Sequence, residues 1–207
     1  MPVDKSKSRK PQQRSAETRN ALLAAATETF TSRGYDGVSI RALESAAKAQ
    51  HGAVAYHFKN KETLWKAAID QLLTKFATFV GPLQTTMDDL DHEARVRMAV
   101  AALVRFSAET PEFSRLMSQE GHFNTWRLQY LIDHFLRDGY EWLNKLFGLQ
   151  GDPHTYYIVI GAVTQVFDVA HACRELFGVD PTSDTFIKEH ISRVSDMILK
   201  LHPEGCS

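Results

Sequence analysis

The 207-residue sequence has only two cysteines, Cys173 and Cys206, too few for a disulfide framework or a thiolate metal site. No apolar run approaches the roughly 18 residues of a membrane span. The polar, basic stretch from Met1 to Gln13 lacks the apolar middle of a secretory signal. These absences lead to the expectation of a cytoplasmic protein with no membrane partner. Strict apolar–polar alternation between hairpin turn signals is also missing, so no strands are expected. There is no internal repeat and no glycine-rich loop of phosphate-binding form. Acidic–histidine neighbours such as Glu120 with His122, Asp133 with His134 and Asp168 with His171 occur, but no two histidines stand four residues apart as on a zinc-binding helix. Neither a metal nor a cofactor is expected, and without a recognisable nucleophile–base pair the chain does not read as an enzyme.

What is present is enough for a sizeable core, since 43% of the residues are hydrophobic and 24% charged. The net charge of −1 conceals a division: residues 1–66 hold 12 Lys and Arg against 6 Asp and Glu, and residues 67–207 hold 12 against 19. A front of +6 joined to a body of −7 fits a protein of which one part meets a polyanion, although a solubilising basic tail would give the same totals.

The chain divides into a basic arm over 1–14, a small helical unit over 15–66 and a larger helical body over 67–207. The arm, with five cations and two prolines, has too little apolar surface to fold alone. From Ser15 the residues Leu22, Leu23, Ala26 and Phe30 recur at helical spacing, and Gly34 ends that helix. A second helix follows Ser39, whose hydroxyl suits an N-cap, and runs to Ala47. A third spans Gly52 to Phe58, and Asn60 caps a fourth that runs through Leu64, Ala68, Leu72 and Phe76 until Gly81-Pro82 breaks it. Further helices are expected over His92–Glu109, Pro111–Gln119, Thr125–Phe147, Pro153–Phe177 and Ser183–Leu201. The fold class is therefore all-α: an N-terminal three-helix unit joined to a larger C-terminal helical domain.

The segment Phe30 to Trp65 is the most informative. Two short helices separated by Lys48-Ala49-Gln50 have helix-turn-helix form. Ala46, Ala47, Ala49 and Ala53 let them approach closely, and Ile40, Leu43, Val54 and Phe58 are expected to bury toward the first helix. This leaves Arg41, Gln50, His51, Tyr56, His57 and Lys59 for solvent. The Ala-rich first helix ending in Phe30 and Gly34-Tyr35, the run Val38-Ser39-Ile40, the block from Gly52 to Phe58 and the sequence Asn60-Lys61-Glu62 with Leu64 together resemble the TetR family of bacterial regulators. That resemblance implies a helix-turn-helix DNA-binding role for the N-terminal unit, and ligand binding and dimerisation for the C-terminal domain. Three positions depart from the family pattern. Lys48 replaces a glycine that tolerates positive φ, Gln50 replaces the serine that caps the third helix, and Glu44 stands where a small alanine is usual.

The resemblance implies a DNA surface of Ser39, Arg41, Gln50, His51, Gly52, Tyr56, His57 and Lys61. Ser39, Tyr56, His57 and Lys61 would grip phosphates. Base edges fall to the start of the third helix, where Gln50 can pair with adenine and His51 with a guanine acceptor, while Arg41 suits either task. In the body, Ile187, Ile191, Val194, Ile198 and Leu201 follow a 4-3-4-3 spacing, and the preceding helix supplies Val159, Val163, Val166 and Phe167. The resemblance implies that these two helices form a homodimeric four-helix bundle, whereas the same stripes would equally serve their own core. The middle of the chain is rich in aromatics. Phe79, Phe106, Met117, Phe123, Trp126 and Tyr130 are the expected lining of a ligand pocket, with polar anchors among Gln119, Glu120, His122 and Asn124.

The resulting expectation is a sequence-specific regulator, a repressor released from a palindromic double-stranded DNA operator by a small apolar or aromatic effector. The sign of the ligand response is not fixed by the sequence. A ligand-independent DNA-binding protein is the alternative, and a helical small-molecule carrier or enzyme a more distant one.

Overall fold

The computed structural model describes residues 6–87 and 89–201, and among these there are eleven α-helices and no strand. Two compact units divide the chain, the first ending at Thr74 and the second beginning at Lys75. The division falls inside a helix, later than the 66/67 boundary expected from the sequence.

In the first unit α1 (Ser6–Arg33), α2 (Ile40–Ala46), α3 (Ala53–Phe58) and the start of α4 (Lys61–Thr86) enclose one core. The inward face of α1 is the expected one: Leu22, Leu23, Ala26 and Phe30 are buried with Leu43, Val54, Phe58, Leu64, Trp65, Ala68 and Ile69. Gly34 ends the helix at φ 71°, and its N–H donates to the Phe30 carbonyl at 2.9 Å. Two expectations are corrected. Residues 6–14 are not a separate arm but the opening turns of α1, while Met1 to Lys5 lie outside the described residues. Ile40 is exposed, because it opens α2 immediately after the cap.

Helix α4 is not broken at Gly81-Pro82 but continues to Thr86. A proline inside a helix forfeits one amide bond and costs about 3 kcal/mol. Here Val80 and Met87 are buried in the core of the second unit on either side of it, and the Met87 N–H still reaches the Leu83 carbonyl at 3.0 Å. Tertiary packing overrides the local breaker.

The rest of the second unit is α5 (His92–Glu109), α6 (Pro111–Gly121), α7 (Trp126–Leu131), a π-helical turn (Ile132–Leu136), α8 (Arg137–Phe147), α9 (Pro153–Asp168), α10 (Ala170–Phe177) and α11 (Asp184–Leu201). Helix α5 lies at its centre and packs against α11, α9, α8 and α6. Carboxylate and hydroxyl caps start the helices where the sequence places them. Asp91 accepts from the Ala94 N–H at 2.7 Å, Thr125 from Leu128 at 3.2 Å and Asp152 from Thr155 at 3.0 Å.

The expected helix over 153–177 is two helices bent by 73° at Val169. Neither glycine nor proline marks the bend. Asp168, the last residue of α9, takes a hydrogen bond from the Ser114 hydroxyl of α6, a contact distant in sequence that ties the bend to α6. Burial pushes the Asp168 carboxyl above its usual range. No single helix among the described residues is long and apolar enough to cross a membrane. Cys173 is buried with a free thiol, and Cys206 lies outside the described residues.

Candidate functional site

The connection between α2 and α3 is longer than the three residues expected and occupies positions 47–52. Ser39 caps α2, its Oγ accepting from the Ala42 N–H at 3.2 Å. Lys48 adopts φ 52°, the left-handed conformation for which a glycine is usual, at a cost of about 1 kcal/mol. Gly52, at φ 89°, stands at the N-cap of α3 and has no side chain with which to cap it.

Glu44 caps α3 instead. Its side chain rises from α2, the residue is only 3% exposed, and Oε1 accepts from the Gly52 N–H at 3.0 Å and the Val54 N–H at 3.1 Å. Oε2 lies 3.1 Å from Nδ1 of His51. The Val54 amide, with His51 and the Gly52 amide, holds the carboxyl below its usual range against the opposing effect of burial. Gln50, expected in the capping place, is thereby free to face solvent. The sequence signal for Glu44 was a lone carboxylate beside Leu43 on the inward side of α2, coupled to a third helix with no capping side chain of its own.

The DNA-facing residues expected from the sequence gather on this frame. Ser39, Arg41, Gln50, His51, Gly52 and Tyr56 are exposed, and His57 and Lys61 are half-buried. The Tyr56 ring meets His57 edge-on at 4.8 Å. The Lys61 ammonium sits 4.1 Å from the centre of the Tyr35 ring, which stacks on Phe30 and meets Trp65 edge-on. A cation held over an aromatic face keeps its charge while its direction is restricted. Asn60 caps α4 as expected, accepting from the Thr63 N–H at 2.8 Å. The surface combines exposed amide, imidazole, guanidinium and phenol groups with a rigid apolar underside, which suits base edges and phosphates together.

In the second unit the expected pocket residues separate. Phe106 is buried, and with Phe79 it belongs to a packed group of rings with Phe76, Phe113 and Phe135, whose centres lie 4.9–5.4 Å apart. Met117 is half-buried. Tyr130 stacks on His134 at 4.1 Å beside the π-helical turn that carries Phe135. Phe123 and Trp126 are surface residues, the former 69% exposed, and the guanidinium of Arg127 lies 5.8 Å from the Trp126 ring. Of the expected polar anchors, Glu120 is taken up by Arg127, whose Nε donates to both carboxylate oxygens at 2.8 and 2.9 Å in a buried ion pair. Among the described residues no three His, Cys, Asp or Glu side chains come together as a metal site needs.

The stripes expected to form a dimer surface divide by burial. Val159, Val163, Phe167, Val194 and Ile198 are buried in the protomer's own core, and Val166, Ile187 and Ile191 are partly buried against it. Periodicity alone cannot tell a stripe that faces a partner from one that faces α5. Leu201 at the end of the α11 stripe is exposed, and further exposed apolar residues lie on the bent pair: Tyr157, Ile158 and Val169 on α9 and at the bend, Leu176 and Phe177 at the end of α10, and Val179 just beyond.

Residues 22–68 match the family model described as bacterial regulatory proteins, tetR family. The chain is 25% identical over 193 residues to the HTH-type transcriptional regulator RutR of Escherichia coli (strain K12), a match covering 88% of this chain and 89% of that one. Among solved structures the fold is similar to that of AibR in complex with isovaleryl coenzyme A and operator DNA, with a TM-score of 0.66, 17% identity and coverage of 87% of this chain and 97% of that one. It is also similar to HlyIIR, a hemolysin II transcriptional regulator, with a TM-score of 0.63, 21% identity and coverage of 88% and 99%.

Proposed function

Because this chain is a DNA-binding regulator of the TetR family, we propose that it acts as a homodimeric repressor that leaves a palindromic operator when a small apolar or aromatic effector binds its helical body. The observation that carries the DNA part is the exposed polar surface of α2 and α3 over a capped, buried frame. Gln50 and His51, in the connection just before α3, read base edges, with Arg41 beside them, while Ser39, Tyr56, His57 and Lys61 hold the phosphate backbone. A unit this small reads only a few base pairs, and two copies related by a two-fold axis supply the remaining specificity.

The dimer surface is the unpartnered apolar face of α9 and α10. Ile158, Val169 and Leu176 recur along it, and Gly161 on the same stretch has open space where a Cβ would stand. Such a face left in water is the usual mark of a protein contact. The effector reading rests on the group of partly buried phenylalanines around the buried Phe106 and on the neighbouring π-helical turn, a feature common at binding sites. It is supported by AibR, whose structure holds both isovaleryl coenzyme A and operator DNA. A protein acting on a bacterial operator works in the cytoplasm.

Selection of bound fragments from a random DNA pool tests the reading. A palindrome with half-sites about one helical turn apart is expected, and an asymmetric or unenriched pool would overturn it. Release of the selected operator by members of an aromatic and acyl compound set tests the effector. If no compound changes both operator affinity and thermal stability, the mutual packing of the five phenylalanines favours a ligand-independent regulator.

A further inference from the structure

The Glu44 carboxylate does more than close the end of α3. Oε1 is occupied by the Gly52 and Val54 amides, so the oxygen facing His51 is Oε2. An ionised carboxylate accepts hydrogen bonds and cannot donate them. With Oε2 3.1 Å away, Nδ1 must be the ring nitrogen that carries the hydrogen. In a neutral ring Nε2 is then a bare acceptor. The residue is exposed, so Nε2 is the ring nitrogen left to meet DNA.

We propose that Glu44 is a positioning residue for base recognition, which through Nδ1 fixes His51 in the tautomer whose outward Nε2 accepts a hydrogen bond from the amino group of cytosine or adenine. The proposal rests on the reading of α2 and α3 as the DNA-reading pair. It reverses the guanine preference expected from the sequence: the major-groove edge of guanine offers acceptors at O6 and N7, and these do not bond to a bare nitrogen. Cytosine N4 and adenine N6 present the donors that such a nitrogen needs. A residue that never touches DNA would thus choose the base read by one that does.

The test is Glu44→Gln. The amide oxygen can still accept from the Gly52 and Val54 N–H groups, which leaves the amide nitrogen facing Nδ1. That nitrogen donates, so Nδ1 becomes the acceptor and the ring proton moves to Nε2. DNA selection at pH 8.5, where histidine rings in solution are neutral, should show the wild type preferring cytosine or adenine at one position of each half-site. Glu44→Gln should shift that position to guanine, with about a two- to tenfold reversal in relative affinity. His51→Ala should abolish the preference in both backgrounds. Nitrogen-15 NMR of the free protein at the same pH should find the His51 proton on Nδ1 in the wild type and on Nε2 in Glu44→Gln.

An enriched wild-type pool that Glu44→Gln leaves unchanged, or a proton on Nε2 in the wild type, overturns the role of Glu44 while leaving the DNA reading intact. If the wild type enriches no sequence at all, both readings fall. Glu44→Gln should melt within a few degrees of the wild type, so that a changed pool reports recognition rather than unfolding.

Discussion

Replacing Leu176 and Phe177 together by glutamate should convert the protein from dimer to monomer. The two residues are 74% and 73% exposed at the end of α10, yet both are large and apolar. Fully burying such a side chain is worth about 1.5–3 kcal/mol, so covering three-quarters of four of them, two from each protomer, gives roughly 5–9 kcal/mol. At 1.4 kcal/mol per tenfold, losing that term raises the dimer Kd by more than a thousandfold. Sedimentation equilibrium at micromolar concentration reads the change directly. Operator affinity should fall with it, because a monomer binds only one half-site. The fold should survive, since neither side chain contributes to the core, and circular dichroism checks this. Ile191→Glu with Val194→Glu is the informative contrast: Val194 is buried, so that pair should lower the melting temperature first and disperse the dimer only as a consequence. A Leu176→Glu, Phe177→Glu protein that still sediments as a dimer would refute the assignment of this face.

Arg127→Met leaves the Glu120 carboxylate buried without its ion-pair partner and should cost about 3–5 kcal/mol, whereas Glu120→Leu with Arg127→Met should recover most of the loss; thermal denaturation of the two proteins decides. Lys61→Ala should weaken binding to every sequence alike and reduce the salt dependence of affinity by about one unit of slope, while Gln50→Ala should relax preference at a single base pair. Acid should undo the Glu44 cap. Its folded pKa lies below the usual 4.5, so its contribution is fully present above that value and is lost as the pH falls through the folded pKa. Urea titrations from pH 6 to 3 should therefore show a steeper fall in stability for the wild type than for Glu44→Gln, and parallel curves would mean that the carboxylate is not held by these bonds.

Local chemistry was legible and tertiary contact was not. The caps Ser39 and Asn60 are read from neighbouring residues, and each caps as expected because the partner amide lies three positions away. The bend at Val169 and the continuation of α4 through Pro82 accompany contacts distant in sequence, the Ser114 hydroxyl on Asp168 in one case and, in the other, the core that takes up Val80 and Met87 with residues of α5, α8, α9 and α11. The helical stripes were found correctly as apolar, but which of their residues the protomer's own core takes up was not legible. Val159, Val163 and Phe167 face inward to the core containing α5, while Leu176 and Phe177, which keep no long periodic pattern, are the exposed ones. The helix-turn-helix segment was more legible than the body because its polar residues are concentrated in one short stretch, and Gln50, His51 and Tyr56 are exposed as expected, with the buried Glu44 and the exposed Ile40 as exceptions.

The three departures in the helix-turn-helix belong together. Lys48 brings a side chain into a left-handed turn at about 1 kcal/mol, and Gly52 leaves α3 without a capping side chain, which elsewhere costs a similar amount. Glu44 supplies two charge-assisted bonds to the Gly52 and Val54 amides from the opposite side of the same turn. Bonds to a charged acceptor are worth roughly 1.5–3 kcal/mol each, less the desolvation of a carboxylate brought inside, so the balance is of the same size as the two penalties it meets. The cap has therefore moved from the start of α3 to the middle of α2, and Gln50 no longer has to serve it. Moving the cap turns a residue of the packing helix into a partner of His51 in the connection before α3. The residue that makes the turn tenable is then also the one that, on the reading proposed above, sets which ring nitrogen His51 presents to DNA.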